Sequence, residues 1–279
     1  MDRTDLTVRA RRLRELHEHG TLVMPNAWDA ASAVMVVRAG AEAVATTSGG
    51  VAWSLGRPDG EGLTRTEMAE AVRRIVAAVE VPVTADVESG YGPAPSDVAA
   101  TVRAVLAAGA VGVNIEDSRS DDGSLFTPQQ QADRLRAARA AAVEAGVPEL
   151  VVNVRTDVFL RQLGDPAGRL DDVLERAATY AKAGADVLFV PGLLDLDVLT
   201  RLVDASPLPV NVMAAPGGPT VADLRGIGVR RVTVGTALSQ AAYTAAHRAA
   251  RELLDEGRLT ALGSAMGYPE LNACFTARA

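Results

Sequence analysis

The chain has 279 residues, of which 48% are hydrophobic and 23% are charged, as is usual for a globular protein with a sizeable core. Its formal net charge of −7 argues against binding to nucleic acid or to an anionic membrane. The charged first twenty residues contain no apolar core of a signal peptide, and a single cysteine, Cys274, excludes an internal disulfide. We therefore expect a cytoplasmic protein.

Eight short β-rich runs recur along the chain and alternate with stretches of helical periodicity. In order they are TLVMPN, AVATTSGG, VPVTADVE, VGVNIED, LVVNVRTD, DVLFVPG, LPVNVMA and RVTVGT. Several of the intervening helices stop at a glycine, as in RAGAEAV, VLAAGAVGV and YAKAGADVL, where glycine adopts the left-handed conformation. The alternation predicts a parallel sheet, and eight units favour a closed (β/α)8 TIM-type barrel. An open doubly wound sheet is the alternative, but no G-x-G-x-x-G follows an early strand.

No linker or low-complexity segment interrupts this alternation. The sequence therefore predicts a single domain over residues 1–279. Residues 237–279 follow the last predicted strand and include the Ala-rich stretch LSQAAYTAAHRAARELLDEG, which predicts extra C-terminal helices beyond the barrel.

Polar side chains share one face of three neighbouring predicted strands. In VPVTADVESGYG, residues 81–92, alternation with period two places Asp86 and Glu88 opposite the valines. Glu116 ends the polar face of the next strand, and Arg155 ends that of the strand after it. Because TIM barrels carry their active sites at the carboxyl ends of the strands, we predict that these four side chains share one small cavity there.

Three carboxylates that converge in such a cavity repel one another unless a cation compensates their charge. Ligands that are all oxygen atoms select a hard ion, so the sequence predicts Mg²⁺ or Mn²⁺. Zinc is disfavoured because His17, His19 and His247 lie in helical terminal segments, away from every strand end. In the alternative interpretation the acids are ordinary loop-capping or ion-paired residues, with Arg155 as their partner.

Four motifs together carry a resemblance to a known family: TTSGGVAWSLGRPDG, DVESGYG, NIED and VRTD. At these spacings the chain resembles the isocitrate lyase/phosphoenolpyruvate mutase superfamily, from MPNAWDAASA to the last helix. The resemblance implies a (β/α)8 barrel that binds Mg²⁺ and a small 2-oxo acid and makes or breaks a C–C or P–C bond next to a pyruvate-like enolate. It also implies a homotetramer, a dimer of dimers, in which segment 237–279 packs on or exchanges with a neighbouring subunit.

The resemblance assigns a metal site residue by residue. Asp86 resembles the acid that contacts the metal directly, whereas Asp59, Glu88 and Glu116 resemble acids that hold its water shell. The family usually has Asp at the position of Glu88, so the longer side chain here is expected to shift the metal or one of its waters.

The resemblance also assigns a substrate site. Ser48, Gly49 and Gly50 resemble a loop whose hydroxyl and backbone N–H groups bind the substrate carboxylate, and glycine permits the close approach that this requires. Arg155 resembles the guanidinium that binds the oxo-acid oxygens and balances the developing enolate charge. By resemblance, the catalytic residues are Ser48, Asp59 and Arg155.

The sequence departs from the family where each known reaction is defined. The Lys-x-Cys-Gly-His loop of the lyases and the Lys-x-Asn-Ser loop of the mutases are both missing from residues 117–126, the expected lid. Pro191 stands where lyases have glutamate and mutases have histidine, and Cys274 is far away in the sequence. The acid–base group is therefore unidentified among six candidates: Arg119, Ser120, Asp121, Asp122, Asn153 and Asn211.

Three functions follow from this pattern. The favoured one is an Mg²⁺-dependent lyase, decarboxylase or oxo-acid hydrolase that acts on a small 2-oxo or dicarboxylic acid, with weak or absent cleavage of isocitrate and methylisocitrate. The second is a phosphoenolpyruvate mutase-like P–C bond enzyme, which the missing lid motif disfavours. The third is a protein that binds a 2-oxo acid without turnover. A Schiff-base aldolase is disfavoured because Lys182, the single lysine, lies in a predicted helix.

Overall fold

The eight predicted runs form nine short parallel strands of one sheet in the structure, a computed structural model that describes residues 3–276. The strands are β1 (Leu22–Val23), β2 (Asn26–Ala27), β3 (Val44–Thr46), β4 (Val83–Asp86), β5 (Gly112–Glu116), β6 (Val151–Arg155), β7 (Val187–Phe189), β8 (Val210–Met213) and β9 (Arg231–Thr233).

The first predicted run is divided into two strands, and this division closes the barrel. β1 pairs with β9, whereas β2 pairs with β3, so the two edges of the sheet belong to one extended stretch of chain. Between them lie Met24, whose N–H donates to the Val232 carbonyl at 2.8 Å, and Pro25, which has no N–H to donate. The fold is therefore the predicted (β/α)8 barrel, with one of its eight strand positions interrupted.

Helices cover the outside of the barrel and follow the strands in alternation. They are α1 (Arg3–Glu18), α2 (Ala30–Arg38), α3 (Ser48–Ser54), α4 (Arg65–Ala78), α5 (Pro95–Ala108), α6 (Pro128–Glu144), α7 (Arg169–Lys182), α8 (Leu196–Ala205), α9 (Val221–Gly226), α10 (Ala237–Glu256) and α11 (Tyr268–Ala273). After α2, α5 and α7 the chain turns through Gly40, Gly109 and Gly184, whose φ angles are 104°, 95° and 95°, as the Ala-Gly endings predicted. Threonine capping boxes begin α4, α6 and α9.

The two faces of the barrel strands differ as the alternation predicted. Apolar residues such as Val113 and Ile115 are fully buried in the main hydrophobic core. The intervening residues Asn114, Asn153 and Asn211 line a cavity inside the barrel. Within the described part of the chain, every helix is too short or too polar to cross a membrane.

Helix α1 lies at the amino ends of the strands, opposite the predicted site. Its residue His17 is 8% exposed and lines a pocket with Val151 and Val187, the first residues of β6 and β7. The Nδ1–H donates to the Leu13 carbonyl at 2.7 Å, and Nε2 has no partner within residues 3–276. The prediction that this histidine lies away from every strand end is therefore wrong, although it lies far from the carboxyl ends, where the site was predicted.

The burial of His17 predicts a loss of stability in acid. Burial lowers the pKa of His17 to about 4, and the charges of Arg231 and Arg14 add to this effect, while Asp186 opposes it. Between about pH 6.5 and pH 4 the unfolded chain binds a proton at His17 that the folded protein does not bind. The free energy of unfolding should therefore fall by about 2–3 kcal/mol as the pH decreases through this window.

Urea unfolding at a series of pH values measures this effect. The variant His17→Gln should lose the His17 share of the pH dependence, whereas His247→Gln, at an exposed position in α10, should keep it. If the free energy of unfolding had the same pH dependence in the wild type and in His17→Gln, this histidine would not be buried as a neutral group.

The C-terminal segment 237–279 carries exposed apolar side chains, and its last three residues lie outside the described residues. Ser239 is the buried residue of α10. Leu254 and Tyr268 are 82% and 81% exposed. Exposed apolar side chains of this density usually mark an interaction surface.

We expect segment 237–279 to contact a neighbouring subunit in a homotetramer, a dimer of dimers. Light scattering of the full chain at micromolar concentration should give the mass of a tetramer. The double variant Leu254→Glu/Tyr268→Glu should give smaller species because it places charge in the interface, whereas Val8→Glu, at an exposed apolar position of α1, should not. A monomeric wild type would contradict this expectation.

Candidate active site

A cavity of about 240 Å³ lies at the carboxyl ends of the strands. Asp86 ends β4 and Arg155 ends β6, so the parallel strands deliver both side chains to the same edge. Most residues of its wall are polar, with apolar side chains at Ala45, Leu160, Phe189 and Met213. Four of the predicted site residues line this cavity: Ser48, Asp59, Asp86 and Arg155.

Glu88 does not continue the inward face of β4. The strand ends at Asp86, and Glu88 adopts a left-handed conformation with φ +51°. Its carboxylate accepts hydrogen bonds from the Glu61 N–H and, at 3.3 Å, from the Tyr91 hydroxyl. Glu88 and Glu116 line an adjoining pocket of about 330 Å³. The prediction of one shared cavity is therefore wrong for Glu88, because the strand ends before it. Glu116 ends β5 and contacts Arg155 of the main cavity at 2.9 Å, so it lies at the boundary of the two pockets.

The Asp86 carboxylate is oriented from both sides. Its Oδ2 accepts a hydrogen bond from the Ser48 N–H at 3.0 Å, and its Oδ1 accepts one from Asn114 Nδ2 at 2.9 Å. Asn153 Nδ2 in turn donates to Asn114 Oδ1 at 2.7 Å. A row of side chains from three adjacent strands therefore fixes this carboxylate, and a substrate would compete with it for the Ser48 N–H.

Close packing explains the glycines that follow Ser48. A Cβ on Gly49 would lie 2.8 Å from Thr236 Cγ2 and 2.9 Å from Asp59 Oδ2, and one on Gly50 would come equally close to its neighbours, at 2.8 Å. A larger residue at Gly49 would displace Asp59. The loop that carries Asp59 and the start of α3 therefore pack directly against each other.

Two acids hold Arg155. Its Nε and Nη2 donate to Asp157 at 2.6 and 2.9 Å, and its Nη1 contacts Glu116 Oε2 at 2.9 Å. Burial raises the pKa of Glu116, and the charge of Arg155 offsets this only in part. Burial also acts to raise the pKa of Asp157, but the charge and hydrogen bonds of Arg155 outweigh it, and the pKa is lowered. Asp157 is therefore the ionised partner of Arg155.

The sequence patterns did not predict Asp157 and Arg231 as residues of the site. Asp157 follows Arg155 by two residues, and this spacing in VRTD was the available signal. Arg231 opens β9 and lines the cavity beside Asn211, and its alternation with Thr233 in RVTVGT predicts an inward side chain.

In the lining of the two pockets taken together, six carboxylates face four guanidinium groups. Burial raises the pKa of Glu88 to about 7, and the charges of Asp86, Asp59 and Glu61 contribute. Within residues 3–276 no three His, Cys, Asp or Glu side chains are already arranged around a common point. The donor chemistry nevertheless fits a hard divalent cation, because carboxylate oxygens are the ligands that Mg²⁺ and Mn²⁺ prefer. The metal site formed by Asp59, Asp86, Glu88 and Glu116 stays a prediction.

The expected lid, residues 117–126, is fixed at its base. Asp117 is fully buried and pairs with Arg176 at 3.1 Å. At the tip, Asp121 and Asp122 are exposed and accept hydrogen bonds from backbone N–H groups of their own turn. The tip therefore holds no carboxylate against the main cavity. Asp122 lines the adjoining pocket instead, together with the other lid candidates Arg119 and Ser120.

Comparisons with known proteins identify the family of this chain. A model of the phosphoenolpyruvate phosphomutase family matches residues 13–254. The chain belongs to this family. An uncharacterized protein of Mycobacterium tuberculosis H37Rv is 38% identical over 261 residues, which are 93% of this chain and 94% of that protein. The 2-methylisocitrate lyase of Escherichia coli K12 is 31% identical over 196 residues, 67% of this chain and 63% of the lyase.

A solved structure extends the similarity to a third activity. Oxaloacetate acetylhydrolase, in complex with the product oxalate, superposes with a TM-score of 0.84 and 26% identity over 96% of this chain and 94% of that chain. Named relatives of this phosphoenolpyruvate phosphomutase family member thus include a lyase and a hydrolase. The predicted superfamily is confirmed.

The Arg155–Asp157 pair should stabilise the fold as well as the site. The variant Asp157→Asn keeps the shape of the side chain but leaves the largely buried Arg155 guanidinium with weaker acceptors. Glu116 replaces the lost charge only in part. We expect the free energy of unfolding to fall by about 2–3 kcal/mol.

Urea denaturation of Asp157→Asn beside Asp133→Asn measures this effect. Asp133 pairs with Arg136 at 2.6 Å on the exposed face of α6. The substitution Asp133→Asn should therefore lower the free energy of unfolding by less than about 1 kcal/mol. Equal effects of the two substitutions would show that the buried pair contributes no more than a surface pair.

Proposed function

We propose that this protein is a divalent-metal-dependent enzyme that breaks a C–C bond in a small 2-oxo dicarboxylic acid through a pyruvate-like enolate. The observation that carries this proposal is the cavity that combines an oriented carboxylate, Asp86, with an immobilised guanidinium, Arg155. Carboxylates suit a hard cation, and a fixed guanidinium suits the oxygens of a 2-oxo acid.

Each side chain has a defined part in this proposal. Asp86, together with Asp59, Glu88 and Glu116, would hold Mg²⁺ or Mn²⁺, which when bound supplies positive charge to the enolate oxygen. Arg155 would bind the oxo-acid oxygens, and its ion pair with Asp157 and its contact with Glu116 hold it in place before substrate arrives. The Ser48 hydroxyl and the N–H groups of Gly49 and Gly50 would bind the carboxylate next to the oxo group.

The lid supports C–C cleavage of a small acid over reactions that need a positioned acid–base residue. Its acids, Asp121 and Asp122, are exposed, and Pro191 carries no proton to transfer. When the C3–C4 bond of oxaloacetate breaks, its electron pair passes into the enolate of pyruvate and C4 leaves as CO₂. A water molecule can then give a proton to C3. The likeness to oxaloacetate acetylhydrolase also supports a substrate of the size of oxaloacetate. A P–C bond enzyme is the second candidate, since the family is named for the mutase.

The first test is metal-dependent turnover of oxaloacetate. We expect consumption of oxaloacetate with Mg²⁺ and its loss on addition of EDTA. Calorimetry should show that Asp86→Asn weakens Mg²⁺ binding at least tenfold, about 1.4 kcal/mol, because it removes the charge of the best-oriented carboxylate. Asp171→Asn, at an exposed position of α7, is the matched control and should bind Mg²⁺ like the wild type.

The same assay distinguishes the alternatives. Threo-isocitrate and 2-methylisocitrate should be cleaved with kcat/KM below about 10⁴ M⁻¹s⁻¹, the low end of ordinary enzymes, because the lid lacks the acid–base group of the lyases. A higher value for either tricarboxylate would contradict the proposed substrate class. Tight binding of oxaloacetate without turnover would favour the non-catalytic binding protein, and unchanged Mg²⁺ affinity in Asp86→Asn would contradict the metal site.

A further inference from the structure

The cavity continues inward from the proposed 2-oxo-acid site to a polar floor, formed by Thr84, Asn153, Asn211 and Arg231. Arg231 opens β9, and Thr84 precedes Asp86 on β4, so these side chains start nearer the amino ends of the strands than the residues of the proposed site do. The proposed function uses none of the four floor residues to contact substrate.

Arg231 is a buried cation, and two of its three guanidinium nitrogens have no hydrogen-bond partner in the described part of the chain. The residue is 2% exposed, and its Nε and Nη1 make no hydrogen bond within residues 3–276. Burial lowers the pKa of Arg231 to about 10, and the charge of Asp86 opposes this shift from a distance. A buried guanidinium that lacks hydrogen-bonded acceptors is unfavourable, so such a residue is expected where an anion binds.

The residue beside Arg231 offers a further free donor. Asn211 is the register partner of Arg231 on the neighbouring strand β8. Its Oδ1 accepts a hydrogen bond from the Thr233 hydroxyl at 3.3 Å, which leaves Nδ2 without a partner in the described part of the chain. Adjacent guanidinium and amide N–H groups match the two oxygens of a carboxylate.

We propose that Arg231 and Asn211 bind the second carboxylate of the substrate, so that the protein selects dicarboxylic acids over monocarboxylic 2-oxo acids. This inference rests on the proposed function, because the Ser48–Arg155 end of the cavity must hold the 2-oxo-acid end of the same molecule. A cavity of about 240 Å³ has room for a four-carbon dicarboxylate that spans both ends.

A matched pair of probes tests the floor without turnover of a 2-oxo acid. Racemic malate and racemic lactate share a 2-hydroxy acid end and differ by the second carboxylate. Calorimetry with Mg²⁺ present should show malate binding to the wild type at least tenfold more tightly than lactate. Arg231→Met should lower malate affinity at least tenfold and leave lactate affinity within about twofold, while Arg231→Lys should keep part of the preference for malate.

A second variant makes the test independent of how well Arg231→Met folds. Asn211→Asp keeps the size of the side chain and places a carboxylate next to Arg231, so it should also abolish the preference for malate. Lactate binding and thermal unfolding report whether each variant retains its fold.

The outcomes separate the two proposals. If Arg231→Met weakened the binding of malate and of lactate equally, Arg231 would act through Asp86. If it left the affinity for malate unchanged, buried water would be accepting the hydrogen bonds of the guanidinium. Either result overturns the inference. Wild-type protein that binds both acids alike would overturn it too, while leaving the proposed function intact. Wild-type protein that binds neither acid and does not consume oxaloacetate would contradict the proposed function itself.

Discussion

The concentration of negative charge at the carboxyl ends of β4 and β5 is the constraint on which the site depends. Buried carboxylates are stable only where donors or cations surround them. The Asp86 carboxylate accepts hydrogen bonds from the Ser48 N–H and the Asn114 amide, and the Glu88 carboxylate accepts one from the Glu61 N–H. Because these donors come from the backbone and from short, rigid side chains, the carboxylates are oriented before any ligand binds.

The same donors connect the loops around the cavity. Glu61 donates its N–H to Glu88, and its carboxylate accepts hydrogen bonds from the Ser89 hydroxyl and, at 3.2 Å, from the Tyr91 N–H. The loop after α3 is thereby tied to the turn after β4. Asp59 lies two residues before Glu61 and packs against Gly49, so its position depends on both contacts. The two loops consequently act as one unit in placing the acids.

The sequence predicted the parts of this arrangement that repeat with the period of a strand. The barrel followed from eight apolar runs, and the inward direction of Asp86 and Arg155 followed from alternation. Alternation did not predict the direction of the Glu88 side chain correctly, because a left-handed turn ends the strand before it. Among residue types, only glycine and asparagine commonly indicate such a turn in a sequence. The partnership of Arg155 with Asp157 and Glu116 depends on side-chain geometry between strands, which spacing alone does not specify.

The charge of Arg231 has opposite effects at the two ends of the barrel. Towards the carboxyl ends it attracts Asp86, whose charge opposes the lowering of the pKa of Arg231. Towards the amino ends it adds to the burial that lowers the pKa of His17 and so disfavours protonation of that ring. This cation destabilises its surroundings on one side, and its Nε and Nη1 form no hydrogen bond to any described residue. A contribution to the stability of the fold therefore does not explain its presence. Natural proteins accept such local conflicts where a site requires them, and a carboxylate bound at Arg231 would supply the missing acceptor and reduce the field that reaches His17.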